Sequence, residues 1–207
     1  MNYVLGEYSD AYQHHKNEIV VILDAGHGGK DGGASSESGV QERDLVFAIT
    51  KKVESYLRGQ GVKVKLTREG EADLASEKAR NRKAEDLKNR IELINETEQA
   101  ILVSIHANAT TNSSWSGAQT FYDPKKDENE QLAACIMNSM QKNLEMTRSP
   151  QATSQLYLLK HSKVPATLVE IGFLSNTEEA AKLEKESYQE QVAYAIYEGV
   201  IAYIDGL

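Results

Sequence analysis

Cysteine occurs once in this chain, at Cys135, so an intrachain disulfide is excluded and no disulfide partner is expected. It lies in an apolar helical pattern and reads as a small packed hydrophobe. No apolar run approaches the roughly 18–20 residues that cross a bilayer. No signal-peptide core stands at the start. Blocks of Lys and Arg are missing too. With a formal net charge of −8 and a pI of about 5.2, nucleic acid and anionic membranes are poor candidate partners. Internal repeats and low-complexity segments are absent. What remains is 207 residues, 40% hydrophobic and 26% charged, enough for one well-buried core in one globular domain. Residues 1–17 are polar and aromatic without periodicity and read as a tail or trimmed linker, leaving 18–207 as the domain. His14 and His15, adjacent and therefore splayed apart, belong to that tail.

The chain is organised around Ile19-Val20-Val21-Ile22-Leu23, five apolar residues that read as a strand buried on both faces. They run through Asp24 and Ala25 into Gly26-His27-Gly28-Gly29, a turn that presents a histidine just past a buried strand. Open α/β sheets place their active sites at that edge. Leu45, Val46, Ile49, Val53 and Leu57 predict a helix over 41–57, with Glu42 and Asp44 in its first turn. Further helices are expected over 79–97, 127–144, 177–183 and 187–204. Strands are expected over 62–66, 100–105, 117–122, 156–159 and 166–172. Strands alternating with helices predict an α/β fold, a mostly parallel twisted sheet flanked by helices.

Three apolar strands each lead to a polar, reactive residue: His27, His106 and Glu170. A single histidine at a strand end is more often a satisfied polar group than a ligand. Two histidines and a carboxylate on one edge of a parallel sheet shift the balance toward a site. Two histidines plus a carboxylate make a catalytic zinc shell with an open fourth position. Zinc makes water a usable nucleophile near neutral pH, and a further carboxylate serves as general base. Glu170, between Val169 and Ile171, is costly to bury without a partner. Spacing alone leaves Asp31, Glu37, Glu42 and Asp44 open as the zinc carboxylate. His161, between Lys160 and Ser162, reads as a surface residue. A nucleotide site is disfavoured because the glycine turn lacks both the G-x-G-x-x-G order and a P-loop lysine-hydroxyl pair.

Several stretches carry a resemblance. They are Leu23 through Ala34, Gln41-Glu42-Arg43-Asp44-Leu45, Ser104-Ile105-His106-Ala107-Asn108-Ala109, and Val164 through Asn176. Together the chain from Ile19 onward resembles the zinc-dependent N-acetylmuramoyl-L-alanine amidases. The resemblance implies a zinc-exopeptidase-like fold and one Zn²⁺ per chain held by His27, Glu42 and His106. Glu170 is then the catalytic carboxylate and Asn108 a substrate-binding residue. Family members usually carry proline where this chain has Ala25, a position on which no chemistry depends. Arg82 through Leu87 with Arg90 and Leu93-Ile94-Asn95, Trp115-Ser116-Gly117-Ala118-Gln119 and Glu128-Asn129-Glu130 are similar to the sporulation-associated, germination-specific branch called CwlD.

The implied reaction is hydrolysis of the amide between the muramic acid lactyl group and L-alanine of the peptidoglycan stem, in spore cortex muramic-lactam formation. A zinc peptidase cutting within the stem shares the same metal chemistry. A binding module with a degenerate site is disfavoured because all four residues are present. The resemblance also implies an exported enzyme in the cell envelope or spore cortex space, with an N-terminal export or membrane segment missing from this sequence. An accessory activating protein is the remaining partner expected.

Overall fold

The computed structural model describes residues 18–144 and 148–207, so the expected tail lies outside the described residues. β1 (Val20–Ala25) and α1 (Glu42–Gly59) come first, followed by β2 (Lys63–Leu66) and α2 (Arg82–Asn95). β3 (Ala100–Asn108), β4 (Gln119–Tyr122), α3 (Asp127–Leu144) and β5 (Gln151–Ala152) form the middle of the chain. α4 (Tyr157–His161), β6 (Ala166–Phe173), α5 (Thr177–Leu183) and α6 (Glu186–Asp205) complete it. The six strands form one sheet in the order β2-β1-β3-β6-β4-β5. β2, β1, β3 and β6 run parallel, β4 lies antiparallel to β6, and β5 returns parallel to β4. This is the expected single α/β domain.

Alternation along the central strands divides the apolar residues between two faces. Val21, Leu23, Val103, Ile105, Val169 and Ile171 pack beneath α1, α3 and α6 in the larger core. Ile22, Leu102 and Leu168 join Ile91 and Ile94 of α2 and Leu158 and Leu159 of α4 on the other face. That second face is covered by one long helix and one single-turn helix, so its carboxyl-end edge stays open. Gly199 of α6 lets two helices touch, since a Cβ there would lie 2.4 Å from Ile136 Cα. Cys135 is half-buried against the larger core, and burial raises its thiol pKa.

Residues 156–159, expected as a strand, instead lead into α4. Lys160 N donates to Leu156 O and Ser162 N to Leu158 O, both at 2.9 Å, which are helical i→i+4 bonds. A short apolar run suits either geometry, and here the sheet edge is already taken by β5, in a segment expected to be loop. The helix expected over 79–97 begins at Arg82 because the Asn81 side chain caps it, accepting from Ala84 N at 3.2 Å.

Candidate active site

β1 delivers its glycine turn against β3. A Cβ on Gly26 would stand 2.2 Å from His106 Cε1, so only glycine lets this backbone pass beneath the imidazole. His27 then takes a left-handed conformation, φ 61°, which few non-glycine residues adopt. Its carbonyl is held by Arg90 Nη2, while Arg90 Nη1 donates to Ala25 O at 2.8 Å and to Asp24 Oδ1 at 2.7 Å. Arg90 Nε donates to Asp86 Oδ2 at 2.9 Å. A second buried guanidinium, Arg68, donates to Ala25 O at 3.0 Å and Gly26 O at 3.1 Å. Asp24 anchors the network from below, accepting from Thr67 Oγ1 at 2.6 Å and Ser104 Oγ at 2.5 Å. Burial pushes the Asp24 carboxyl up, but Arg90 and the two hydroxyls outweigh it and hold it at about 2.

α1 brings Glu42 in its first turn, and the carboxylate spans the two histidines. Oε2 lies 3.0 Å from His27 Nε2 and Oε1 lies 2.9 Å from His106 Nδ1. Backbone amides of Ala34 (2.9 Å) and Ala107 (3.0 Å) fix the carboxylate orientation. Burial opposes its ionisation, yet hydrogen bonds and charge from His106 and His27 hold it well below the usual carboxylate range. One donor atom from each of the three residues lies within 4.8 Å of the others, so His27, Glu42 and His106 could hold a metal ion. Gly33, at φ 68°, keeps the entrance clear: a Cβ there would lie 2.5 Å from Glu42 Oε2.

The carboxylates that spacing left open now separate. Asp31 Oδ2 sits 3.0 Å from His27 Nδ1, on the other side of that ring from Glu42. Burial lowers the His27 pKa, but Glu42 and Asp31 together raise it. Asp44 pairs with Arg43 at 2.7 Å, and Glu37 accepts from Thr177 Oγ1 at 3.2 Å. Glu42 alone of the four reaches both histidines. His161 is exposed on α4, its ring 4.5 Å from that of Tyr157.

Glu170 shares a rung with His106 in the parallel β3–β6 pair, so both side chains leave the sheet on the same face. Its Oε2 is buried with no hydrogen-bond partner. Burial raises this carboxyl to about 7, against the pull of His106 and His27 and with the help of Glu42. Asn108 ends β3 two residues beyond His106, half-buried, its carbonyl accepting from Leu174 N at 2.8 Å. A cavity of about 100 Å³ adjoins the histidines, lined in part by Asp31, Lys83, Leu87 and Leu158.

Reading the sequence by spacing missed Arg90 and Arg68, the two cations that shape the glycine turn. One signal was available: Asp86, Arg90 and Ile94 recur every four residues, placing a charge pair on the buried stripe of α2.

The family profile of N-acetylmuramoyl-L-alanine amidase, Amidase_3, matches residues 21–202. The chain belongs to this family. The amidase is 43% identical over 188 residues to the germination-specific N-acetylmuramoyl-L-alanine amidase of Bacillus subtilis, covering 89% of this chain and 79% of that protein. It is 30% identical over 193 residues to the B. subtilis amidase LytC, covering 91% of this chain but 36% of that protein. Among solved structures, the CwlD amidase of Clostridioides difficile, in complex with the GerS lipoprotein, superposes with a TM-score of 0.88. The two are 38% identical, with 91% of this chain and 99% of that chain covered. The amidase is thus a hydrolase of peptidoglycan with a germination-type relative. Among its described residues no helix is long and apolar enough to cross a membrane.

Proposed function

We propose that this amidase is zinc-dependent and hydrolyses the bond between the muramic acid lactyl carbonyl and L-alanine, with Glu170 as its catalytic carboxylate. The observation that carries the reading is Glu170 Oε2, buried without a partner on the same rung as His106. An orphaned buried carboxylate oxygen is rare in a native protein and calls for a chemical reason.

His27, Glu42 and His106 fit one zinc ion by donor type and by spacing. Bound there, zinc lowers the pKa of water and polarises a carbonyl. Asp31 Oδ2, 3.0 Å from the far nitrogen of His27, sets a carboxylate behind that ligand. Glu170 takes a proton from the attacking water as its oxygen bonds to the lactyl carbonyl carbon. The same carboxyl returns the proton to the alanine nitrogen as the carbon–nitrogen bond breaks. A carboxyl raised to about 7 is matched to both steps near neutral pH. Asn108, at the end of β3 beside this edge, is positioned to hydrogen-bond substrate.

We also assign residues 18–207 as the catalytic unit and 1–17 as a tail. Similarity to a germination-specific amidase supports a role in the envelope or spore cortex, removing stem peptides ahead of muramic-lactam formation. The lipoprotein-bound relative supports an accessory protein as partner. The test is digestion of purified peptidoglycan by the zinc-loaded protein. Amidase action leaves a free lactyl carboxylate on muramic acid and a new L-alanine amino terminus. Products cut within the stem instead would overturn the reading.

A further inference from the structure

Trp115 is the largest exposed apolar side chain among the described residues, 50% exposed, yet it is firmly braced. Its ring meets that of Phe173 edge-on, 6.2 Å between centroids at 76°. The Arg148 guanidinium lies over both rings, 5.6 Å from Trp115 and 5.1 Å from Phe173. Arg148 also donates to Ser116 O at 3.0 Å, tying down the loop that carries the indole. A large aromatic held rigid and left half in solvent is characteristic of a recognition surface, because little side-chain freedom remains to be lost on binding.

Its position links it to the reaction. Arg148 Nη1 donates to Gln119 Oε1 at 3.0 Å, and Gln119 stands directly opposite Glu170 in the antiparallel β4–β6 pair. Facing residues in such a pair share a face, so Gln119, Glu170 and His106 project on the same side of the sheet. Phe173 lies three residues beyond Glu170 on β6, where a bulge sets it opposite Asn108, two residues beyond His106 on β3. Across β4 the long helix α3 packs on the opposite face, where Thr120 Oγ1 donates to Ala133 O. The indole is therefore tied to the β4 side of Glu170 through Arg148, Gln119 and Phe173.

The two sides of Glu170 differ in what they admit. The histidine side has a cavity walled by Asp31 and Lys83 beside Leu87 and Leu158, charged and apolar groups that suit a peptide. The β4 side carries the half-exposed indole of Trp115, with the Arg148 guanidinium over it and the Gln119 amide beside that cation. A pyranose has that same character, an apolar C–H face rimmed by hydroxyls.

Building on the proposed amidase reaction, we infer that Trp115 is the stacking platform for a sugar ring of the glycan strand, with the stem peptide leaving over the histidine side. Trp115 is the chain's one tryptophan, so tryptophan-selective fluorescence reports on it alone. The zinc-loaded protein is titrated with a peptide-free oligosaccharide of alternating N-acetylglucosamine and N-acetylmuramic acid, and separately with free stem peptide. The oligosaccharide shifts the emission and the peptide does not. On soluble glycan-linked substrate, Trp115→Ala raises KM about tenfold, the scale of one lost aromatic contact, and changes kcat less than twofold. Trp115→Phe restores most of the affinity. A shift caused by the peptide alone, or an unchanged KM in Trp115→Ala, overturns the platform. Oligosaccharide binding needs no turnover. A parent protein that binds the sugar but releases no stem peptide therefore counts against the reaction and leaves the platform standing.

Discussion

Arg90 holds the carbonyl of His27, and with it the left-handed turn that aims the imidazole at Glu42. This contact couples a salt bridge in the protein interior to the geometry of the proposed metal site. Arg90→Met would leave Asp24 and Asp86 buried without their cation. Breaking a buried pair from one side costs about 3–5 kcal/mol. Urea unfolding should show a loss of that size, and the folded fraction should bind zinc more weakly than the parent.

His27→Ala and His106→Ala should each abolish stoichiometric zinc binding, since two remaining ligands do not make a closed shell. Metal analysis after dialysis checks this. A His106→Ala protein that holds zinc as tightly as the parent would show the shell to be wrong.

Glu170→Gln should retain full zinc and near-parent melting while losing about 10²–10⁴ in turnover, the usual worth of general-base catalysis. Glutamine keeps the shape on β6 but cannot accept the proton. Zinc content, melting temperature and stem-peptide release on this one variant distinguish a base from a ligand and from a structural carboxylate.

Chelation should leave the fold largely intact, because the two apolar cores close without help from the site. Circular dichroism of the metal-free protein should keep its helical signal at room temperature, and a collapse of that signal would contradict the expectation.

In the same metal-free protein, stability should fall as pH rises from about 4.5 to about 7. Glu170 is raised by burial, so over that window the folded chain keeps a proton that the unfolded chain has released. His27, whose pKa is also raised, contributes with the same sign, its share being lost as pH rises through the folded value. Glu170→Gln removes the first contribution. Its denaturation midpoint should therefore vary less across this window than the parent's.

Much of this arrangement was legible from residue pattern. The buried runs at 19–23, 100–105 and 166–172 marked the parallel core, and the polar residues at their ends, His27, His106 and Glu170, are among those the structure gathers at the candidate site. Glu42 could not be chosen by spacing, because 14 residues of loop and turn separate His27 from it, and the path of a loop is set by tertiary contacts. Those contacts include Arg43 Nη1 to Gly29 O at 2.6 Å and Glu42 N to Ala34 O at 2.8 Å. The antiparallel insertion of β4 was equally hidden, since a four-residue strand carries no mark of its direction. α4 was misread because Leu156 through Leu159 satisfy a strand and a single helical turn alike.

The pairing of β3 with β6 has one more consequence. A slip of one residue along β6 would turn Glu170 into the apolar layer under α1, α3 and α6 and bring a neighbouring apolar residue to the rung beside His106. Such a chain would retain most of its secondary structure and none of its chemistry. Specific activity in this amidase is therefore a proofreading signal: it counts the molecules whose central strands have found their register, which a helix-sensitive spectrum cannot do.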